Sequence, residues 1–80
     1  MSTAEFILQE LERISGSDQI HAHPDLDLFQ EDLLDSLGMV ELMVALTQEF
    51  GISLSPAQVD RQMWSTPNKI IAYIEARRKT

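Results

Sequence analysis

Apolar positions recur at helical spacing near the N-terminus of this 80-residue chain. Ser2 and Glu5 have the spacing of a capping box, and Gly16 is a typical helix stop. The apolar positions between them are Ile7, Leu8, Leu11 and Ile14. This pattern predicts a first helix between Ser2 and Gly16.

The segment from residue 17 to residue 35 has no clear period and holds Pro24 and several acidic residues. Five apolar side chains are spread through it: Leu26, Leu28, Phe29, Leu33 and Leu34. We expect a long loop that these side chains pin to the rest of the fold. A loop of this length in a compact domain is usually functional or well anchored.

Helical spacing returns in residues 36–50. Serine before an apolar run is a common N-cap, so Ser36 is expected to cap this helix and Gly51 to end it after Phe50. At about 100° per residue, one side of the helix forms the predicted core stripe: Met39, Leu42, Met43, Leu46 and Phe50. The roughly opposite side is predicted to face water: Gly38, Glu41, Ala45, Gln48 and Glu49.

Leu37, Val40 and Val44 belong to neither of these sides and form an apolar flank beside the acidic side of the helix. A helix that only packed a core would not require this flank. Two interpretations remain open: the long loop covers the flank, or the flank is a surface for a partner protein next to Ser36.

Two more helices are predicted in the C-terminal part. Ser55-Pro56 is a start signal for a short third helix that ends near Arg61, and Thr66-Pro67 starts a last helix that ends near Arg78. The buried stripe of the last helix is Ile70, Ile71 and Ile74. No segment alternates like a strand, so we predict one all-α domain over residues 1–80, a four-helix bundle with three long helices and one short helix.

Charge is unevenly distributed along the chain, which has a formal net charge of −7. Residues 1–60 hold 12 acidic and 1 basic side chain, whereas residues 61–80 hold 1 acidic and 5 basic side chains. The acidic body disfavours nucleic acid and favours basic protein surfaces as partners. The cations from Arg77 to Lys79 are expected to complement the C-terminal end of the last helix.

The composition also limits where the protein acts. The chain has no cysteine, no stretch near the roughly 20 apolar residues of a membrane span, and no signal-peptide pattern. We therefore expect a cytoplasmic protein that does not span a membrane and has no thiol chemistry of its own. We also expect it to be a monomer.

Catalysis by the chain's own side chains is poorly supported. A nucleophilic serine needs a base within hydrogen-bond reach, and His21 and His23 are expected to be solvated loop residues. No cysteine or second histidine pair completes a metal-ligand set, so we expect no metal site. Trp64 is expected to anchor the core, and Arg61 to pair with a nearby acidic side chain.

Ser36 itself has two interpretations. Most serines in this position only cap a helix. A helix N-terminus also offers free N–H groups and the positive end of the helix dipole, so a phosphodiester on Ser36 would be tolerated. Asp35 would oppose such a group unless a cation of a partner, or a metal ion, neutralised it.

The segment Leu34-Asp35-Ser36-Leu37, followed by Val40-Glu41-Leu42, closely resembles the attachment motif of acyl and peptidyl carrier proteins. The order of the predicted helices extends this resemblance over nearly the whole chain. It implies a small carrier-type bundle in which a Mg²⁺-dependent phosphopantetheinyl transferase moves 4′-phosphopantetheine from coenzyme A to Ser36. The thiol of that arm would bring thioester chemistry to a chain without cysteine.

Within this family, the C-terminal third is similar to the D-alanyl carrier proteins of Gram-positive bacteria. The matching segments are Phe50-Gly51, Asp60-Arg61, Trp64, Thr66-Pro67 and Lys69-Ile70-Ile71. The similarity implies a non-catalytic carrier that a separate ATP-dependent ligase loads with D-alanine. A membrane-bound acyltransferase complex would then move the D-alanine toward teichoic acids, at the inner face of the membrane. Gly38 stands where fatty-acid carriers commonly have an acidic residue.

The residues expected to meet partner enzymes are Asp35, Leu37, Val40, Glu41 and Val44. Two alternative functions stay open. One is a phosphopantetheine carrier for fatty-acid, polyketide or peptide synthesis. The other is an acidic helical interaction module without a prosthetic group, in which Ser36 is only a cap.

Overall fold

Four helices make up the regular structure in a computed structural model that describes residues 2–55 and 59–78. They are α1 (Thr3–Ser15), α2 (Gln19–Ala22), α3 (Ser36–Phe50) and α4 (Pro67–Arg77). The described residues contain no strand, so the all-α prediction is confirmed. The other three helices all pack against α1, which is therefore the central helix of the bundle.

The ends of α1 follow the two signals in the sequence. The Ser2 hydroxyl accepts the N–H of Glu5 at 3.1 Å, which is one half of the predicted capping box. Gly16 has φ 73° and donates its N–H to the Glu12 carbonyl at 2.8 Å. Glycine adopts this left-handed conformation without steric cost, which is why it ends the helix here. Ile7 and Leu11 are the fully buried apolar residues of α1.

The bounds of α3 are as predicted, but its N-cap is not Ser36. The Asp35 carboxylate accepts the N–H of Gly38 at 2.7 Å, so Asp35 is the cap and Ser36 is the first helical residue. Asp and Ser are almost equally favoured N-caps, so the adjacent Asp-Ser pair does not reveal from sequence which residue caps. At the other end, Gly51 has φ 66° and stops the helix as predicted.

The core side of α3 is confirmed, with one correction on the opposite side. Leu42, Met43 and Leu46 are buried, and Met39 and Phe50 are partly buried against them. Gly38, which the helical period places toward water, is buried. A Cβ at Gly38 would lie 3.0 Å from Leu34 Cδ1 and 3.1 Å from Ile14 Cγ2. Glycine therefore lets the first turn of α3 lie close to α1 and to the loop before it.

α4 completes the core. The Thr66 hydroxyl accepts the N–H of Lys69 at 3.1 Å, and Pro67 occupies the first helical position, as predicted. Ile70 and Ile74 are fully buried, and Ile71 is partly buried. The end of α4 also packs on other helices, because Arg78 hydrogen-bonds Thr3 and its guanidinium lies 4.3 Å from the centre of the Phe50 ring.

Trp64 is fully buried in the segment before α4, which confirms its expected role as a core anchor. Its ring meets Tyr73 edge-on at a centroid distance of 5.8 Å. Such edge-to-face aromatic pairs add about 0.5–1.5 kcal/mol beyond the burial of their surface. The Trp64 indole N–H and the Tyr73 hydroxyl have no hydrogen-bond partner among the described residues.

The two short elements were the hardest to predict. α2 lies inside the predicted loop and has only four residues, too few to produce a helical period. The start signal of the predicted short third helix begins at Ser55, but residues 56–58 lie outside the described residues. Residues 59–61, its predicted end, are not helical. None of the helices in the described part of the chain has the length and apolar character needed to cross a membrane.

Candidate functional site

Ser36 lies at the exposed start of α3. Its hydroxyl makes no hydrogen bond with the described part of the chain, because Asp35 supplies the capping contact to Gly38. Met39 is the first residue of α3 that donates its N–H to a backbone carbonyl, that of Asp35, at 2.9 Å. The N–H groups of Ser36 and Leu37, in the first turn, have no acceptor in residues 2–55 and 59–78. The site thus combines an accessible hydroxyl with two free donors at the positive end of a helix dipole.

Several residues fix the loop before Ser36 to the rest of the fold, and one of them is Leu28, whose side chain is fully buried. Its N–H donates to the Ser65 carbonyl at 2.7 Å, and its carbonyl accepts the N–H groups of Leu33 and Leu34 at 2.8 and 3.2 Å. Leu34 is buried as well. These contacts confirm the expectation that apolar side chains fix the loop to the fold. They fix the end of the loop as far as Leu34, two residues before Ser36.

The turn just before this end has an unusual backbone. Asp32 has φ 60°, the left-handed conformation that glycine adopts most easily and that aspartate tolerates better than most other residues. Asp32, Asp35 and Glu41 are among the residues that line a cavity of about 310 Å³. Leu37, the residue after Ser36, lines the same cavity, so this acidic cavity lies beside the start of α3.

The apolar flank of α3 is exposed. Leu37, Val40 and Val44 have 70%, 45% and 51% of their surface accessible, so the loop does not cover the flank. Of the two interpretations of this flank, coverage by the loop is therefore wrong. The flank continues into a mostly apolar cleft of about 280 Å³, lined by Val40, Met43, Val44, Thr47, Gln48 and Leu54.

Sequence patterns did not reveal this cleft. Besides Val40 and Val44, four residues line the cleft. One of them, Leu54, lies after the end of α3. Met43 is buried in the core, as the helical period predicts, but it also lines the cleft. A helical period describes one helix at a time, so it carries no signal for a cleft formed with a segment beyond the helix.

The remaining candidate side chains lie in other environments. His21 is held by two carboxylates of α1 rather than being a solvated loop residue. Arg61 forms no ion pair with a described acidic residue; its guanidinium lies 4.3 Å from the centre of the Phe29 ring, so the expectation that it pairs with an acid is wrong. Among the described residues, no cluster of three or more histidine or acidic side chains could hold a metal ion.

This arrangement presents Ser36 but does not activate it. Nucleophilic serines need a base that hydrogen-bonds the hydroxyl, and no described side chain does so here. Ser36 is accessible to another protein, and an apolar flank and an acidic cavity lie beside the start of α3.

Comparison with known proteins gives this site a family. Residues 5–74 match the family described as "Phosphopantetheine attachment site". The chain is 44% identical over 69 residues to the D-alanyl carrier protein of Lacticaseibacillus casei, covering 86% of this chain and 85% of that protein. It is 41% identical over 76 residues to the D-alanyl carrier protein of Enterococcus faecalis, covering 95% and 97%. The corresponding protein of Lactococcus lactis subsp. cremoris is 44% identical over 71 residues, covering 89% and 90%.

These matches cover most of each chain, and the match to the attachment-site family includes the loop, α3 and most of α4. They show a carrier without catalytic activity of its own and with covalently attached 4′-phosphopantetheine as its cofactor. The chain therefore belongs to the D-alanyl carrier proteins, within the phosphopantetheine attachment family.

Proposed function

We propose that Ser36 is the attachment residue and that the chain holds D-alanine as a thioester at the end of the arm, for transfer to teichoic acids. When bound, 4′-phosphopantetheine supplies a thiol, whose thioester keeps the acyl group activated for transfer. The observation that carries this proposal is the exposed, unbonded hydroxyl of Ser36 at the start of α3. The names of the relatives support the choice of D-alanine.

The residues around Ser36 fit a phosphodiester. The free N–H groups of Ser36 and Leu37 are donors for phosphate oxygens, and the helix dipole favours negative charge there. Asp35 is the N-cap and stabilises the first turn of α3 by accepting the N–H of Gly38. Its carboxylate also places a negative charge near Ser36. A cation from the attaching enzyme would relieve the repulsion between Asp35 and the phosphate.

Three kinds of partner follow from this function. A phosphopantetheinyl transferase attaches the arm, a separate ATP-dependent ligase loads D-alanine, and a membrane-bound acyltransferase complex accepts it. The carrier itself works as a monomer in the cytoplasm, at the inner face of the membrane. Its charge of −7 supports encounters with basic surfaces of such enzymes.

A loading assay tests which acyl group the carrier holds. The modified chain is incubated with ATP, D-alanine and the purified D-alanine ligase, and its intact mass is measured. We expect one D-alanyl group per modified chain, released by hydroxylamine as thioesters are, and none on the unmodified chain. A carrier that accepts fatty-acyl groups from an acyl transferase but no D-alanine from the ligase would contradict the proposal and support the fatty-acid alternative.

The apolar flank of Leu37, Val40 and Val44 is proposed as the surface that these enzymes contact. All three side chains are exposed, and two of them line the cleft. Asp35 and Glu41 line a cavity with Leu37 and so lie at the rim of the flank, where they can steer a basic partner into position. Exposed apolar side chains in contact with a cleft are suited to bury a partner's apolar side chain.

Val40→Asp should reduce the rate of D-alanine loading by at least about tenfold, which corresponds to about 1.4 kcal/mol. The new carboxylate would have to be desolvated at the centre of the interface. The measurement is kcat/KM of the ligase for the modified carrier. Because Val40 is exposed, the helix content measured by circular dichroism should stay unchanged.

Ala72→Asp is the matched control, because it places the same charge on the exposed side of α4. It should leave loading close to the wild-type rate. Equal loading of the Val40→Asp and wild-type carriers would place the partner surface elsewhere on the molecule, while Ser36 could still be modified.

Glu41→Gln should act on the rate of encounter. Charges at the rim act over about 8 Å at physiological salt, so this change should mainly slow association with the ligase and flatten its salt dependence. Stopped-flow association rates over a series of salt concentrations measure both effects. Glu75→Gln, on the exposed side of α4, removes the same charge as a control. An unchanged salt dependence in Glu41→Gln would show that Glu41 does not face the partner.

A further inference from the structure

His21 joins α2 to α1 through both nitrogens of its ring. Nδ1 lies 2.7 Å from a carboxylate oxygen of Glu12, and Nε2 lies 3.2 Å from a carboxylate oxygen of Glu5. The backbone N–H of His21 also donates to Glu12, at 3.3 Å. Glu5 and Glu12 stand seven residues apart on α1, which is two helical turns, so they face the ring from two levels of the same helix.

Only the protonated ring satisfies both contacts. An ionised carboxylate has acceptors and no donor, whereas a neutral imidazole has one N–H and one lone pair. The imidazolium donates to Glu5 and Glu12 at once. A neutral ring can keep its N–H on Glu12, the closer partner, and must then turn the lone pair of Nε2 toward the Glu5 oxygen. The contact with Glu5 is therefore the one that deprotonation breaks.

We propose that His21, Glu5 and Glu12 form a pH-sensitive clip that fastens α2 to α1 when His21 is protonated and loosens at the Glu5 side when it is not. The clip acts on the start of the loop that leads to Ser36. The far end of this loop stays in place because Leu28 and Leu34 are buried and hydrogen-bonded. The change is local to α2 and its neighbours.

Both carboxylates raise the pKa of His21 above its ordinary value of 6.5, Glu12 most strongly through its hydrogen bond to the ring. His21 in turn lowers the pKa of Glu12 below 4.5. Glu5 and Glu12 are the charged groups that act on the ring within the described part of the chain, and both belong to α1. His21 is partly exposed, with 37% of its side-chain surface accessible, so it exchanges protons with solvent freely.

The direction of the pH effect follows from these shifts. A raised pKa means that the folded chain binds the His21 proton more tightly than the unfolded chain. The stabilisation is therefore complete below pH 6.5 and is lost as the pH rises through the folded pKa of His21. The lowered pKa of Glu12 removes its contribution only in acid, as the pH falls below 4.5 through its folded pKa. The clip is therefore closed between the folded pKa of Glu12 and the folded pKa of His21, and it opens toward alkaline pH.

Nuclear magnetic resonance tests the clip on the intact chain. The ring protons of His21 report its titration, and amide hydrogen exchange, corrected for the intrinsic effect of pH, reports the protection of α2. We expect a His21 midpoint above 6.5. Protection of the α2 amides should fall over the same pH range, by up to about tenfold for each unit between the folded and unfolded pKa of His21. Protection of α3 should stay unchanged.

Two variants separate the clip from a simple structural contact. Glu5→Gln removes a carboxylate but adds an amide N–H, which can donate to the neutral Nε2. This variant should lower the His21 midpoint and also weaken the pH dependence of α2 protection. His21→Gln should give α2 protection that no longer depends on pH between 6 and 9, a range that spans the ordinary histidine pKa of about 6.5.

His23→Gln is the matched control, since His23 is exposed and directly follows α2. It should leave the pH dependence as in the wild type. A His21 midpoint at or below 6.5, or α2 protection that stays constant while His21 titrates, would overturn the proposal. So would a wild-type pH dependence in both the Glu5→Gln and His21→Gln chains.

Discussion

Replacing Ser36 by alanine should abolish attachment of 4′-phosphopantetheine completely. The hydroxyl oxygen of Ser36 is the atom that the phosphate would be bonded to, and alanine has no such atom. The measurement is the intact mass of the chain after incubation with coenzyme A, Mg²⁺ and a phosphopantetheinyl transferase. The wild-type chain should gain one arm, and the variant none.

The same substitution should hardly affect folding. Asp35, not Ser36, caps α3, and Ser36 is exposed, so its replacement should change the free energy of unfolding by no more than about 0.5 kcal/mol. A loss of modification could then not be attributed to unfolding. Ser53→Ala, at another exposed serine, is the control and should be modified fully. An arm on the Ser36→Ala chain would show that another residue is the attachment site.

Leu46→Ala should lower the free energy of unfolding by about 2–5 kcal/mol. Leu46 is fully buried in the middle of α3, and its truncation leaves a cavity among residues of the central core. A domain of 80 residues has a total stability of about 4–12 kcal/mol, so the change removes a large part of it. Equilibrium unfolding in urea, followed by circular dichroism, measures the loss.

Two further variants of α3 make this result specific. Val44→Ala truncates a side chain that is half exposed, and it should cost less than about 1 kcal/mol. Leu46→Met nearly conserves the side-chain volume and should lower the free energy of unfolding by less than about 1.5 kcal/mol. This variant can still be measured if Leu46→Ala does not fold. A Leu46→Ala chain as stable as Val44→Ala would mean that the core side of α3 has been assigned to the wrong residues.

The ends of the three long helices were predictable because their signals are local. Ser2, Thr66 and the glycines at 16 and 51 act within four residues of the backbone groups that they satisfy. The Asp35-Ser36 pair shows the limit of such signals. Both residue types are good caps, and only the folded backbone shows that Asp35 is the extended residue whose carboxylate accepts the N–H of Gly38.

The site was largely predictable as well. The apolar flank follows from the helical period of residues 36–50, and the motif around Ser36 singles out the residue that we propose for attachment. Whether the loop covered the flank could not be predicted, because coverage depends on where the loop runs. The buried hydrogen bonds of Leu28 draw the loop to the Ser65 side of the molecule and leave Leu37, Val40 and Val44 in solvent.

The sequence by itself determined the three long helices, the core stripe of α3 and the choice of Ser36 as the candidate attachment residue, since each depends on spacing within one segment. Only the tertiary structure decided the burial of Gly38, the stacking of Arg61 on Phe29 and the place of His21 between two carboxylates. These features join residues from different elements, and their partners are set by how helices pack rather than by any local pattern. The contacts of a side chain with distant segments carry no period along the chain, so they become visible only when the chain is folded.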